Sequence, residues 1–284
     1  WKDADRDRVV PVKFYLPEGL SEDKPAPLVI FSHGLGGTRE GYGYWGENLA
    51  AHGYISLHLQ HVGSDDSAWR GAPLGERRTQ LFKAGTAENY RLRVFDVIFA
   101  LDQVEKIAKD KSHPLYGKID LDRLAMAGHS LGATTTQALA GQIAFLGTRE
   151  LSHADPRLKC AIILSPSEPQ GGRDADVAFT KIKIPCFYLT GTKDDNPISN
   201  ADPVTRQVPY RKGTGKDQYL LVFKDGDHML FAGGGPKRRE YLPTVEKSTI
   251  AFLDAYLKGD DKQKAWLRED FKKELKDQGT FEFR

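Results

Sequence analysis

A pentapeptide at positions 128–132, Gly-His-Ser-Leu-Gly, constrains the fold of this chain more than any other stretch. It has the form G-x-S-x-G, follows the apolar run Leu124–Ala127 and precedes a helical pattern of small residues that begins at Ala133. A serine on a sharp turn between a strand and a helix is held in a strained backbone conformation, so the residues two positions away must be small. The glycines at both ends of the pentapeptide meet that demand. The motif therefore predicts that Ser130 is a nucleophile.

Short apolar runs alternate with longer helical patterns along the chain, which is typical of α/β proteins. Several strand candidates are apolar throughout, as parallel strands covered on both faces are. The predicted strands are Val9–Leu16, Leu28–Ser32, Ile55–Leu59, Leu124–Ala127, Ala161–Leu164, Cys186–Thr190 and Tyr219–Phe223. The predicted helices are Tyr44–His52, Ala87–Lys109, Ala133–Phe145 and Val245–Leu257, with a charged one at Lys262–Lys276. We expect an α/β fold with a mostly parallel, doubly wound sheet flanked by helices.

Two segments, Gln60–Gly85 and Asn196–Lys216, interrupt this alternation and are predicted to be long loops. A chain of 284 residues suits one α/β domain as well as two. We expect a single domain over residues 1–284, with a charged helical extension over about residues 260–284.

Charge and hydropathy argue against some classes of partner. The net charge is +2, and Lys and Arg residues are mixed with Asp and Glu, so no nucleic-acid binding is expected. No apolar stretch approaches the roughly 18 residues that a membrane span requires.

The chain has two cysteines, Cys160 and Cys186, too few for a zinc site or a disulfide framework. We expect two buried thiols, and a single disulfide between them is the alternative if their strands are neighbours.

The sequence starts at Trp1, which fits a removed signal peptide as well as a trimmed chain. A secreted or periplasmic location is therefore an expectation.

A serine hydroxyl is a weak nucleophile at neutral pH, so it needs a histidine base and a carboxylate that orients the base. Where this turn occurs in an α/β sheet, the acid and then the histidine follow the serine in the chain. His153 follows Ser130 too closely to leave room for an acid on an intervening strand. His228 comes just after the apolar run Tyr219–Phe223. His228 is therefore predicted to be the general base.

Three carboxylates are candidates for the acid. Asp194 and Asp195 follow the predicted strand Cys186–Thr190, and Glu168 follows the preceding strand. Consecutive side chains point apart, so the two aspartates are not expected to share the role. The usual strand-to-loop geometry favours Asp194, and Asp195 would then orient the turn.

Acyl transfer also needs hydrogen-bond donors for the oxyanion of the tetrahedral intermediate. One expected donor is the backbone N–H of Leu131, just after the nucleophile. The other is expected from the loop Ser-His-Gly-Leu-Gly-Gly at 32–37, whose glycines let the backbone approach a substrate. Leu35 is the donor that we predict there.

These motifs resemble those of the α/β-hydrolase superfamily over about Val9 to Leu257. The stretches Phe-Ser-His-Gly-Leu-Gly-Gly at 31–37 and Leu-Ala-Ala-His-Gly-Tyr at 49–54 are similar to the platelet-activating-factor acetylhydrolase and dienelactone-hydrolase-like group. The resemblance implies a serine esterase. Acetylhydrolases of that type carry their acid after the strand that follows the helix next to the serine turn, whereas here that strand ends Leu-Ser-Pro-Ser at 164–167. This departure weakens the case for a phospholipid substrate.

The sequence thus predicts a serine carboxylic ester hydrolase that works through an acyl-enzyme, without a cofactor or metal, on a small-molecule or polymeric ester. Trp69 and His61 lie in the first long loop and are candidates for substrate contact; the alternative for His61 is a bond to a loop carbonyl. No lid helix is evident after the sixth strand, which favours an open cleft and bulky or polymeric esters. Two alternatives stay open: a phospholipid or acetyl-ester hydrolase of the acetylhydrolase type, and a catalytically silent binding module on the same fold.

Overall fold

The structure is a computed structural model, and it describes residues 1–146, 149–169, 174–195 and 202–284. Within these ranges the strands are β1 Lys2–Asp3, β2 Arg8–Val9, β3 Val12–Tyr15, β4 Ala26–Ser32, β5 Ile55–Leu59, β6 Ile119–His129, β7 Ile143–Leu146, β8 Arg149–Ser152, β9 Leu158–Leu164, β10 Cys186–Lys193, β11 Gln218–Asp227 and β12 Gly279–Phe283. The helices are α1 Gly43–Ala51, α2 Arg77–Lys83, α3 Ala87–Lys109, α4 Leu131–Ala140, α5 Ala175–Ala178, α6 Val208–Lys212, α7 Arg238–Leu257, α8 Asp261–Glu269 and α9 Phe271–Leu275.

Eight strands form one sheet in the order β12-β11-β10-β9-β6-β4-β5-β3. Strands β9, β10 and β11 are parallel neighbours, and so are β4 and β5. The two outer strands are antiparallel to their neighbours: β3 pairs with β5, and β12 pairs with β11. The expected α/β class, with a mostly parallel sheet and flanking helices, is therefore confirmed.

The chain divides into two compact units, Trp1–Leu124 and Ala125–Arg284. In the first unit every residue of β4 and β5 is buried, as the continuous apolar runs predict for covered parallel strands. Helix α3 starts at an N-cap, because the Thr86 side chain accepts a hydrogen bond from the Asn89 N–H. The single domain expected over residues 1–284 stays a prediction.

In the second unit, aromatic rings pack on one another at the outer part of the sheet. Phe187 on β10 lies 5.6 Å from Phe252 on α7 and 6.1 Å from Tyr219 on β11, measured between ring centroids.

The two cysteines are not bridged. The register of β9 and β10 pairs Cys186 with Ala161 rather than with Cys160. Because side chains alternate along a strand, the two cysteines face opposite sides of the sheet, and both thiols are buried and free.

Both predicted loops contain helices. Within Gln60–Gly85 lies α2, which has no buried residue and so gives no apolar periodicity to detect. Within Asn196–Lys216 lies α6, whose five residues are too few for a periodic pattern; positions 196–201 lie outside the described residues.

The expected helical extension over about residues 260–284 ends in a strand instead. After α8 and α9, strand β12 pairs antiparallel with β11, with Phe281 opposite Leu221. Strand β12 contains only two alternating phenylalanines, Phe281 and Phe283, and follows a charged stretch. This pattern is too short to predict a strand. Among the described residues, no helix has both the length and the apolar composition needed to cross a membrane.

Candidate active site

Ser130 lies on the turn between β6 and α4, with φ 57° and ψ −117°. Residues other than glycine rarely adopt this region of backbone conformation, and it stores strain. A Cβ atom on Gly128 would lie 2.3 Å from the carbonyl oxygen of Gly132. The turn therefore has the strained geometry that the motif predicts, and it closes only with glycine at 128.

The imidazole of His228 lies between Ser130 and Asp194. Its Nε2 is 2.9 Å from the Ser130 Oγ, and its Nδ1 is 2.7 Å from the Asp194 Oδ1. The carboxylate can only accept, so Nδ1–H donates to Asp194, and Nε2 is left to accept the serine proton. This is the tautomer that a general base for Ser130 requires.

Neighbouring parallel strands bring the acid and the base together. Asp194 follows β10 and His228 follows β11, and these strands are in register from Cys186, opposite Gln218, to Gly191. The Thr190 hydroxyl donates to the second carboxylate oxygen of Asp194 at 2.8 Å. Both oxygens of the carboxylate are thus held, so its orientation toward the imidazole is fixed.

The other two candidate acids differ from Asp194 in their exposure to solvent. Asp195 and Glu168 are exposed, whereas Asp194 is completely buried. Burial raises the pKa of Asp194, but the hydrogen bond from His228 and the charge of Arg206 outweigh it and hold this pKa below its usual value. The geometry favours Asp194 as the acid because it is ionised and bonded to the base.

A second histidine supports the backbone of the first. The Nε2–H of His129 donates to the carbonyl oxygen of His228 at 3.0 Å, and the two rings lie 4.7 Å apart. Burial, followed by the charge of a protonated His228, lowers the pKa of His129 well below its ordinary value. His129 is therefore a neutral donor that helps to hold the loop after β11.

The two predicted oxyanion donors lie in different settings. Leu131 is the first residue of α4, where backbone N–H groups have no intrahelical acceptor and the helix dipole favours negative charge. Leu35 is half-buried in the loop after β4. Arg93, which is buried on α3, donates to the carbonyls of His33 at 2.6 Å and Gly34 at 3.2 Å. The backbone just before Leu35 is thereby anchored, and the role of both leucines stays a prediction.

Trp69 packs against the same loop. Its indole N–H donates to the Gly36 carbonyl at 2.9 Å, and the Arg77 guanidinium lies 5.4 Å from its ring centroid. A Cβ atom on Gly36 would lie 2.8 Å from the indole nitrogen. Trp69 therefore supports the predicted oxyanion loop, and its contact with a substrate stays a prediction.

His61 belongs to a second Ser-His-Asp chain in the first unit. Its Nδ1 lies 3.0 Å from the Asp96 carboxylate and its Nε2 lies 2.9 Å from the Ser32 Oγ. All three side chains are fully buried, and Asp96 also accepts from Arg8 at 2.7 Å. Its partners are thus a carboxylate and a hydroxyl rather than a loop carbonyl. With both ring nitrogens engaged in the interior, the contacts of His61 favour a structural role over substrate contact.

Among the buried charged residues of the described ranges, three that support these sites have no signal in the sequence: Arg93 and Asp96 on α3, and Arg206 before α6. Single charged residues in helical or proline-containing stretches are normally solvated, so nothing in the pattern distinguishes these three. Only the contacts between distant segments show that their charges lie in the interior.

The mostly parallel sheet and the sharp turn at Ser130 between β6 and α4 define the α/β-hydrolase class of fold. A model of the family described as PET hydrolase-like matches residues 84–281, which is more than half of the chain, and the chain belongs to this family. A model described as platelet-activating factor acetylhydrolase, isoform II, matches residues 16–81.

Curated relatives agree with this classification. The platelet-activating factor acetylhydrolase of Cavia porcellus is 26% identical over 294 residues, which cover 90% of this chain and 63% of that protein. The one of Canis lupus familiaris is 26% identical over 292 residues, covering 86% of this chain and 58% of that protein. This chain thus spans about six tenths of the length of these relatives. The expected resemblance to the acetylhydrolase group is confirmed.

Proposed function

We propose that this protein is a serine carboxylic ester hydrolase that works through an acyl-enzyme. The observation that carries the proposal is the position of His228, whose two ring nitrogens contact the Ser130 hydroxyl and the Asp194 carboxylate. A base that is oriented in this way converts a weak hydroxyl nucleophile into a reactive one.

In the first half of the proposed reaction, the Ser130 Oγ attacks the ester carbonyl while its proton passes to the His228 Nε2. The imidazolium that forms is stabilised by the ionised Asp194. The tetrahedral intermediate then collapses, the ester C–O bond breaks, and His228 returns the proton to the leaving alcohol. Ser130 is left esterified with the acyl group.

In the second half, His228 takes a proton from water as the water attacks the acyl carbonyl. The bond between the acyl carbon and the Ser130 Oγ then breaks, and His228 returns the proton to Oγ, which releases the acid and free Ser130. In both halves the carbonyl oxygen becomes an oxyanion. We propose that the backbone N–H groups of Leu131 and Leu35 stabilise it, a contribution of about 10²–10³ in rate for one donor. The start of α4 supports the choice of Leu131, since its N–H lies at the positive end of a helix.

For the substrate, we propose an ester with an apolar acyl or alcohol group, including bulky and polymeric esters. Two large apolar side chains are more than half exposed beside site residues: Met229 directly follows His228, and Val204 lies two residues before Arg206. Exposed apolar side chains that are near neighbours of such residues in the chain are available for an apolar substrate. The relatives' name makes an acetyl phospholipid the main alternative substrate.

Labelling with a fluorophosphonate probe tests the reaction class. We expect the probe to modify wild-type protein at Ser130 and to leave the Ser130→Ala variant unmodified, while circular dichroism shows both proteins folded. A folded wild-type protein that takes up no label would contradict the proposal and favour a silent binding module.

A substrate panel tests the specificity. It comprises p-nitrophenyl esters of increasing acyl length, an aromatic polyester film and a short-chain acetyl phospholipid. We expect kcat/KM to rise with acyl length over the short members and the film to release soluble acid. A preference for the phospholipid over all p-nitrophenyl esters would replace the proposed substrate class by the alternative.

A further inference from the structure

A buried arginine lies behind the Asp194–His228 pair. Arg206 belongs to the short 3-10 segment Pro203–Gln207, and only 3% of it is exposed. A buried guanidinium is costly unless its N–H groups are hydrogen-bonded and its charge is paired. The partners of Arg206 therefore show what holds it there.

The first set of partners is the turn that carries the acid. The Nε–H of Arg206 donates to the main-chain carbonyl of Asp194 at 3.1 Å and lies 3.4 Å from its carboxylate oxygen Oδ1. An Nη2–H donates to the main-chain carbonyl of Asp195 at 3.3 Å. The guanidinium thus holds the backbone of the turn as well as the charge of the acid.

The second set of partners is the loop after β9. The Nη1 group donates to the Pro166 carbonyl and to the Ser167 Oγ, both at 3.1 Å, and lies 3.4 Å from the Ser165 carbonyl. The same planar group therefore joins the loop after β9 to the turn after β10.

The third contact is with the base itself. The Arg206 Nη2 lies 3.3 Å from the His228 Nδ1. The Nδ1 proton is already donated to Asp194, so the guanidinium packs beside that hydrogen bond and does not replace it. Because the guanidinium lies beside the Nδ1 edge of the ring, we infer that it limits rotation of the imidazole away from the Asp194 carboxylate.

The arrangement depends on the shape of the arginine side chain. A guanidinium has five N–H donors in one plane, which here reach two loops and the acid at once. A lysine would keep the charge but concentrate three donors on one nitrogen, and a glutamine would keep a donor but lose the charge.

We propose that Arg206 is a positioning residue that aligns the Asp194 carboxylate and the His228 imidazole for proton transfer from Ser130. This inference rests on the ester hydrolase function proposed above. Arg206 touches neither the serine nor the bond that breaks, and it acts through the acid and the base.

The test compares Arg206→Gln and Arg206→Lys with wild type, and uses Arg211→Gln as the matched control. Arg211 lies on α6, half exposed, and pairs with Glu282 at the surface. We measure kcat and KM with p-nitrophenyl butyrate, and the low-field proton NMR resonance of the His228 Nδ1–H, assigned by its loss in His228→Ala.

We expect Arg206→Gln to lower kcat by about 10²-fold, because misplacement of a reacting group by about 1 Å has that effect, and to leave KM within about threefold. The resonance should shift or broaden. Arg206→Lys should lose about tenfold in kcat, and Arg211→Gln should match wild type in both measurements.

Wild-type kcat with an unchanged resonance in Arg206→Gln would overturn the proposal, even if its melting temperature falls. If Arg206→Gln does not fold, the same two measurements on Arg206→Lys decide, and wild-type values there overturn it. A wild-type protein without ester hydrolysis or probe labelling would overturn the proposed function, while the resonance would still test the role of Arg206.

Discussion

Gly191 and Gly226 approach each other so closely that a Cβ atom on Gly191 would lie 2.1 Å from the Gly226 carbonyl oxygen. The contact lies where the register of β10 and β11 shifts, between Gly191 and Lys193. Asp194 follows three residues after the first glycine, and His228 follows two residues after the second. The missing side chain at 191 therefore lets the two strand ends come near enough for the acid to bond the base.

Replacement of Gly191 by alanine should separate these strand ends. Because backbone atoms block the new methyl group, we expect a loss of about 1–3 kcal/mol in the free energy of unfolding and a drop in kcat of about 10²-fold. Gly71→Ala is the matched control, because nothing lies within 4 Å of a Cβ atom there. Urea denaturation and ester hydrolysis measure the two effects, and wild-type values for Gly191→Ala would contradict the proposed constraint.

The choice of acid can be tested with two neighbouring aspartates. Asp194→Asn should lower kcat by about 10⁴-fold, because an amide does not stabilise the imidazolium and favours the wrong tautomer. Asp195→Asn should change kcat by no more than about twofold, since this side chain is exposed. A larger loss in Asp195→Asn than in Asp194→Asn would transfer the role of the acid to Asp195.

The chain of Ser32, His61 and Asp96 should be unreactive, although it has the connectivity of a catalytic triad. Its serine is fully buried, so no ester or probe reaches the hydroxyl. We expect Ser32→Ala to keep fluorophosphonate labelling at Ser130, and we expect Ser130→Ala to take up no label at Ser32. Mass spectrometry of labelled peptides checks both; a labelled Ser32 would show that this chain opens to solvent.

Acid should destabilise the protein partly through His61. Burial, followed by the charge of Arg93, lowers the pKa of His61 from 6.5 to about 4. Between these values the unfolded chain binds a proton that the folded protein does not, so the stability that neutral His61 contributes is lost as the pH falls through this window. The loss amounts to about 3 kcal/mol at most.

His61→Gln isolates this effect, because glutamine does not titrate. The unfolding free energy of wild type minus that of His61→Gln should be constant above about pH 7. As the pH falls toward 4, wild type should lose more stability than the variant, so this difference should decrease. Urea denaturation at a series of pH values measures it. A difference that does not change between pH 7 and 4 would rule out His61 as a contributor.

The parts of the fold that could be predicted are those whose signal is local. Covered parallel strands such as β5 are apolar runs, and α3 has both an N-cap and a long periodic pattern, so their bounds of Ile55–Leu59 and Ala87–Lys109 agree with the prediction. Helix α2 and strand β12 could not be predicted in this way, because a helix without a buried residue and a five-residue edge strand lack such patterns.

The sequence by itself determined the strained serine turn and the chain order of Ser130, an acid and His228, because small residues around a sharp turn and the order of strands are properties of the chain. Only the tertiary structure decided which carboxylate meets His228, which of two Ser-His-Asp chains is buried, and that Arg206 lies against the acid. These contacts join residues 12 to 98 positions apart. Strand register and the packing of loops set such distances, and no local pattern encodes them.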